Sequence, residues 1–127
     1  MSTRLLLDTH VLIWTLSAPS RLSAEIRRDI ARSDVFVSAA SIWEIAIKFA
    51  AGKLLTNPNL VLNELPVAGY DLLPVSGLHA ARTADLGTLL HMDPFDRLLV
   101  AQAICESMTL LTNDNALRTY APTVRMI

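Results

Sequence analysis

Apolar and polar positions fall into blocks along the chain, and their period switches repeatedly between that of a strand and that of a helix. Residues 4–8 form a short apolar run that ends at Asp8. Val11, Leu12, Ile13 and Leu16 continue it at helical spacing, which predicts a strand followed by a helix. A Pro19-Ser20 turn closes that unit. A second helix is predicted over 22–32, with Ser23 capping its start, Leu22, Ile26 and Ile30 facing inward and Arg27, Arg28 and Arg32 facing out. Val35-Phe36-Val37 reads as a compact buried strand. The helix after it begins at Ser38 or Ser41, runs through Ile42, Ile45, Ala46 and Phe49, and ends at Gly52 as C-cap.

Asn57-Pro58 breaks the chain before a further helix around 59–66, and residues 70–75 read as a strand whose proline suits an edge. Residues 77–90 have a helical pattern interrupted by two glycines. Asp93-Pro94-Phe95-Asp96 opens a strong helix through Leu99, Val100, Ala103 and Ile104, with proline at the first helical position, where its missing N–H costs nothing. A strand over 108–112, an Asn113-Asp114-Asn115 turn, a short helix over 116–120 and a last strand over 123–127 complete the series. Strands alternating with helices imply an α/β fold with a central, mainly parallel sheet covered on both sides, formed by residues 1–127 as a single domain. There is no repeat, low-complexity tract or flexible linker.

Composition narrows the class. An apolar fraction of 52% and a mean hydropathy of +0.39 are high for a small soluble protein, so some apolar surface is expected to meet another chain. A formal net charge of -1 gives no global attraction to nucleic acid. Binding of RNA or DNA would therefore need a metal or a local basic cluster such as Arg27, Arg28 and Arg32, or Lys48 and Lys53. Cys105 is the single cysteine, which excludes an internal disulfide and a cysteine-rich zinc site and suits a reducing cytosol. The N-terminal residues turn acidic at Asp8, too soon for a signal peptide, and no apolar run approaches the roughly 18 residues of a membrane span. A soluble, cytoplasmic protein is expected.

Four acids, Asp8, Glu44, Asp96 and Asp114, each lie where an apolar strand stops or a helix begins. Each has a plain structural role open to it. Asp8 either caps the first helix or faces a site. Glu44 stands three residues after Ser41, the spacing of a capping box. If Ser38 starts the helix instead, Glu44 falls nearly two turns in, among Ile42, Trp43 and Ile45, where a carboxylate needs a partner. Asp93 and Asp96 both favour the dipole of the helix that Pro94 opens, Asp93 as its cap. Asp114 is either a turn residue or the fourth acid of a cluster. A parallel sheet gathers its strand ends and helix starts into one crevice, and that is where acids remote in sequence meet.

Carboxylates forced together repel, and they stay ionised only when a cation neutralises them. Mg²⁺ takes hard oxygen ligands, keeps several waters and is commonly completed by substrate phosphate. Such an ion activates a water and stabilises charge on phosphoryl oxygens, the chemistry of phosphodiester hydrolysis. His10, His79 and His91 have no metal-ligand spacing to one another, so zinc fits poorly. Trp14, Trp43 and Phe95 lie among aliphatics and read as core or dimer-interface residues.

The segments Leu5-Leu6-Leu7-Asp8-Thr9-His10-Val11-Leu12-Ile13-Trp14, Ser38-Ala39-Ala40-Ser41-Ile42-Trp43-Glu44-Ile45, His91-Met92-Asp93-Pro94-Phe95-Asp96-Arg97-Leu98-Leu99-Val100-Ala101-Gln102-Ala103 and Leu110-Leu111-Thr112-Asn113-Asp114 resemble the PIN-domain family. They are most similar to its VapC-type ribonuclease toxins of type II toxin-antitoxin systems. The resemblance implies a three-layer α/β/α fold and RNA cleavage dependent on Mg²⁺, with Mn²⁺ as substitute. It also implies a homodimer inhibited by a cognate antitoxin. It makes Asp8, Glu44, Asp96 and Asp114 the metal-binding and catalytic set, with Asp93 as a neighbour. Thr9 and Thr112 are then candidate supporting hydroxyls, each with a plain helix or turn role as the alternative. Arg97 is a candidate phosphate contact, or else half of a salt bridge to a nearby acid. Asn113 departs from the family pattern, in which a basic residue often precedes the last acid, so substrate contacts are expected to differ there.

Two other acid-bearing α/β classes fit less well. A receiver domain would need paired acids after the first strand and a lysine after a late one, and a haloacid dehalogenase-type phosphatase would need an aspartate where His10 stands. A PIN nuclease that is not a toxin, and a catalytically silent binding or signalling domain of the same fold, remain as alternatives.

Overall fold

Leu5 and Leu7 point to one side of the first strand and Leu6 to the other, and all three are buried. A strand apolar on both faces belongs at the centre of a sheet covered by helices on each side. In the computed structural model, which describes residues 3–87, 93–120 and 122–127, that strand is β1 (Arg4–Leu7). Around it lie β2 (Asp34–Ser38), β3 (Asp71–Leu73), β4 (Thr109–Thr112) and β5 (Val124–Met126), in the order β3-β2-β1-β4-β5. Every pairing is parallel.

The helices are α1 (Thr9–Ser17), α2 (Ala24–Ala31), α3 (Ala39–Ala50), α4 (Pro58–Ala68), α5 (Gly77–Arg82) and α6 (Pro94–Glu106). Helices α1 to α4 bury Val11, Leu12, Ile26, Ile30, Ile45, Val61 and Leu65 against Leu5, Leu7, Val35, Val37 and Leu111. Helix α6 covers the opposite face, where Leu99, Val100 and Ala103 meet Leu6, Leu110 and Val124. The result is the three-layer α/β/α sandwich with a central parallel sheet that the sequence predicts.

Local chemistry sets most boundaries. Ser23 caps α2 by accepting from the Ile26 N–H, and Ser38, not Ser41, caps α3 by accepting from the Ala40 N–H. Gly52 follows α3 at a φ of 72°, a left-handed conformation that costs glycine little.

Other boundaries depart from the sequence reading. Helix α4 begins at Pro58 under an Asn57 cap and continues through Pro66, an interior position that proline usually disrupts, before stopping at Gly69. Strand β3 is only three residues long, because Pro74 has no N–H for the ladder. The helix expected over 77–90 divides into α5 and a 3₁₀ turn (Thr83–Leu86) ended by Gly87, and residues 88–90 lie outside the described residues. The short helix after Asp114 is also a 3₁₀ segment, Asn115–Tyr120. Among the described residues no helix is long and apolar enough to cross a membrane.

Candidate acidic site

Strand order dictates where a crevice opens. From β1 the chain passes to β2 on one side, and it later returns to place β4 on the other, so the switch point lies between the C-terminal ends of β1 and β4. Ligands of doubly wound sheets bind at such a point. Asp8 is the first residue after β1, and its backbone N–H donates to the Leu111 carbonyl of β4 at 3.0 Å. Asp114 follows β4 by two residues.

Asp8 is buried and serves as N-cap of α1. Its Oδ1 accepts from the His10 N–H at 3.0 Å, and its Oδ2 accepts from the Thr112 hydroxyl at 2.9 Å. Thr112 also accepts from the Asp114 N–H at 3.1 Å, so one hydroxyl ties the two strand-end acids together. Asp114 completes its turn by accepting from the Ala116 N–H. The capping and turn roles are thus real, and they hold the carboxylates at the crevice.

Glu44 lies in the second turn of α3 and is buried, at 6% exposure. Its partner is Lys48, one turn further on, with Nζ 2.9 Å from Oε2. Asp93 caps α6 by accepting from the Asp96 N–H at 2.8 Å. Asp96, in the first turn of α6, is half-buried, and its carboxyl is pushed up to about 7. Burial contributes most to that shift, followed by the negative charges of Asp93, Asp8, Asp114 and Glu44. The four acids predicted from sequence, and Asp93 beside them, therefore share one electrostatic field although they come from four parts of the chain.

The donors are all carboxylate oxygens, the chemistry of a hard divalent cation rather than of zinc. Among the described residues no three acid, His or Cys side chains are already gathered as a metal cage. Mg²⁺ rarely uses such a cage and is commonly held by one or two carboxylates with waters and substrate oxygens. The donor set fits that ion by its chemistry.

The accessory residues divide. Thr112 touches Asp8 directly, whereas the Thr9 hydroxyl donates to Ser41 at 3.0 Å, fastening α1 to α3 without reaching an acid. Among the described residues Arg97 pairs with no acid, and its Nη2 is taken up by the carbonyls of Thr83 at 3.2 Å and Gly87 at 3.0 Å. Thr83 is the C-cap of α5 and Gly87 that of the 3₁₀ turn, positions where backbone carbonyls lack helical partners. His10 is exposed, with Nδ1 3.8 Å from Asp8 Oδ1, and the Asp8 carboxylate beside the ring holds its pKa above the usual value. His79 is remote from the acids, buried with Nε2 3.1 Å from Glu106, and His91 lies outside the described residues. Trp14 packs against the core, but Trp43 is 62% exposed, with its ring edge-on to Phe95 at 5.1 Å.

Lys48 is the site residue that sequence reasoning missed. The sequence places it on a basic face with Lys53, yet a lysine four residues after a glutamate is itself a pairing signal.

Comparison with known proteins agrees with this architecture. The PIN domain family profile matches residues 5–121. Ribonuclease VapC22 of Mycobacterium tuberculosis (strain ATCC 25618 / H37Rv) is 31% identical over 120 residues, covering 93% of this chain and 92% of that protein. Among solved structures, VapBC2 from Rickettsia felis bound to a DNA fragment from its promoter superposes with a TM-score of 0.69 at 15% identity, covering 98% of each chain. A toxin-antitoxin complex from Klebsiella pneumoniae superposes with a TM-score of 0.65 at 16% identity, covering 95% of each. The sheet order, the acids at its switch point and the match over most of the chain agree: the protein belongs to the PIN domain family.

Proposed function

We propose that this protein is a VapC-type toxin, an endoribonuclease that hydrolyses RNA phosphodiester bonds with a divalent cation, Mg²⁺ or Mn²⁺. The observation that carries the reading is the convergence of Asp8, Glu44 and Asp114 on Asp96, whose carboxyl is pushed up to about 7 by burial first and then by the charges of Asp93 and these three acids. Carboxylates held at such mutual cost, with Lys48 as the one lysine or arginine paired to them among the described residues, suit a site completed by a metal ion. The ribonuclease name of the M. tuberculosis relative supports RNA as substrate.

Asp8, Asp96, Asp114 and Glu44 would hold the ion. When bound, it supplies Lewis acidity toward the phosphate and a water acidic enough to attack at neutral pH. The chain's own residues set the stage for that chemistry. Thr112 and the His10 N–H orient both oxygens of Asp8, so its carboxylate is fixed before substrate arrives. The N-terminal turn of α6 favours the ionised form of Asp96 through the helix field, while its acidic neighbours oppose it. Charge neutralisation also removes the repulsion that the bare acids would exert on RNA.

The antitoxin complexes among the structural neighbours support a cognate antitoxin as partner. Exposed apolar side chains, including Leu55, Leu60 and Val67, offer surface for an antitoxin or for a second copy in a homodimer. The test is an RNA-cleavage assay with mapped ends, run in Mg²⁺, Mn²⁺ and chelator, on the parent protein and on Asp8→Asn. Cleavage by the parent in either metal, with none in chelator and none by the variant, is the expected result. Equal cutting by parent and variant would remove the site assignment.

A further inference from the structure

Lys48 sits where a surface lysine has no need to be. Its ammonium lies 2.9 Å from Glu44, whose side chain is only 8% exposed, while its own side chain is 40% exposed. An ordinary i,i+4 pair on an open helix face contributes little. This pair is not on an open face. The charge of Lys48 also reaches Asp93 and Asp96 at the start of α6 and His10 at the start of α1, and α3, which carries it, packs against both of those helices. Arg97, the cation that the sequence offered for phosphate, is committed to the carbonyls of Thr83 and Gly87.

We propose that Lys48 is a phosphate-contacting residue of this site held in reserve by Glu44. In the metal-free protein its ammonium neutralises the Glu44 carboxylate, and once Glu44 is drawn into cation binding the ammonium turns to a non-bridging oxygen of the RNA phosphate. This rests on the acids being the nuclease centre. The two partners compete for one carboxylate, and a flexible four-carbon stem with a compact charge is suited to the exchange. Removing the charge should therefore have opposite effects on the two ligands: metal binds more tightly, RNA less tightly.

The experiment compares the parent with Lys48→Gln and Lys48→Arg, with folding of each checked by thermal melting. Mn²⁺ binding is titrated without RNA by electron paramagnetic resonance, and cleavage of a labelled random-sequence 12-mer RNA is measured over a range of salt. For Lys48→Gln the proposal expects severalfold tighter Mn²⁺ binding. It also expects a KM raised about tenfold with a smaller change in kcat, and a salt slope of log kcat/KM shallower by about 0.7, the value of one phosphate contact on a single strand. Lys48→Arg should recover much of the KM. If the parent binds Mn²⁺ and cuts RNA while Lys48→Gln matches it in metal affinity, KM and salt slope, the role of Lys48 is overturned and the nuclease reading stands. If the parent itself neither binds Mn²⁺ nor cuts RNA, both fall together.

Discussion

The Thr112 hydroxyl donates to Asp8 Oδ2 at 2.9 Å across 104 residues of sequence, joining the end of β4 to the start of α1. The Thr112 hydroxyl oxygen in turn accepts from the Asp114 N–H, so one buried hydroxyl fixes two acids of the site. Thr112→Val keeps the shape of the side chain and removes both bonds. It should cost about 1–3 kcal/mol in stability, because Asp8 and the Asp114 N–H each lose a partner. It should also lower kcat/KM for RNA about 10- to 100-fold. Melting curves and cleavage rates check the two effects separately, and a variant that cuts RNA at the parental rate would deny Thr112 its orienting role.

Asp8→Asn separates the structural role of that residue from its chemical one. Asparagine caps a helix as well as aspartate does, and its amide can face Thr112, whose hydroxyl accepts as readily as it donates. The fold should therefore melt within a few degrees of the parent while RNA cleavage is lost. Loss of activity accompanied by unfolding in circular dichroism would instead mark Asp8 as a structural cap.

Asp96 should make the metal-free protein lose stability as pH rises. Its folded-state value is about 7 against an ordinary 3.8. Between those values the native state holds a proton that the unfolded chain has released, so the stability slope with pH is negative there. The stabilising contribution is fully present below about pH 4 and is gone once pH has risen through about 7. Asp96→Asn should match the parent at low pH and melt above it at pH 8 in chelator. Added Mg²⁺ should narrow that gap by stabilising only the parent. A gap that is constant with pH would show that Asp96 does not feel the other acids.

Arg97 is expected to stabilise the fold without gripping RNA. Arg97→Gln removes two charged donors from the carbonyls of Thr83 and Gly87. A cost of about 1–2 kcal/mol corresponds to a melting temperature about 3–8 °C lower. The salt dependence of cleavage should be unchanged. Should that slope become shallower by about 0.7 with melting unaltered, Arg97 would be a phosphate contact after all.

The sequence by itself determined the layering and the acids. The apolar runs at Leu5-Leu6-Leu7 and Leu110-Leu111 specify strands buried on both faces, and Ser23 and Asp93 mark helix starts, because these signals act within a turn or two of the residue that carries them. Asp8, Asp96 and Asp114 were legible as candidates for the same reason, each standing at or just past the end of an element, and Glu44 because a carboxylate among Ile42, Trp43 and Ile45 needs a partner. Only the tertiary structure decided what those residues touch. That Thr112 reaches Asp8 while Thr9 turns to Ser41, that Arg97 is consumed by two carbonyls, and that Lys48 joins the acids depends on the order in which β1 and β4 are laid side by side. Local patterns fix which face of an element is apolar, but long-range contacts between polar side chains follow from topology, and their strength follows from the burial that topology creates.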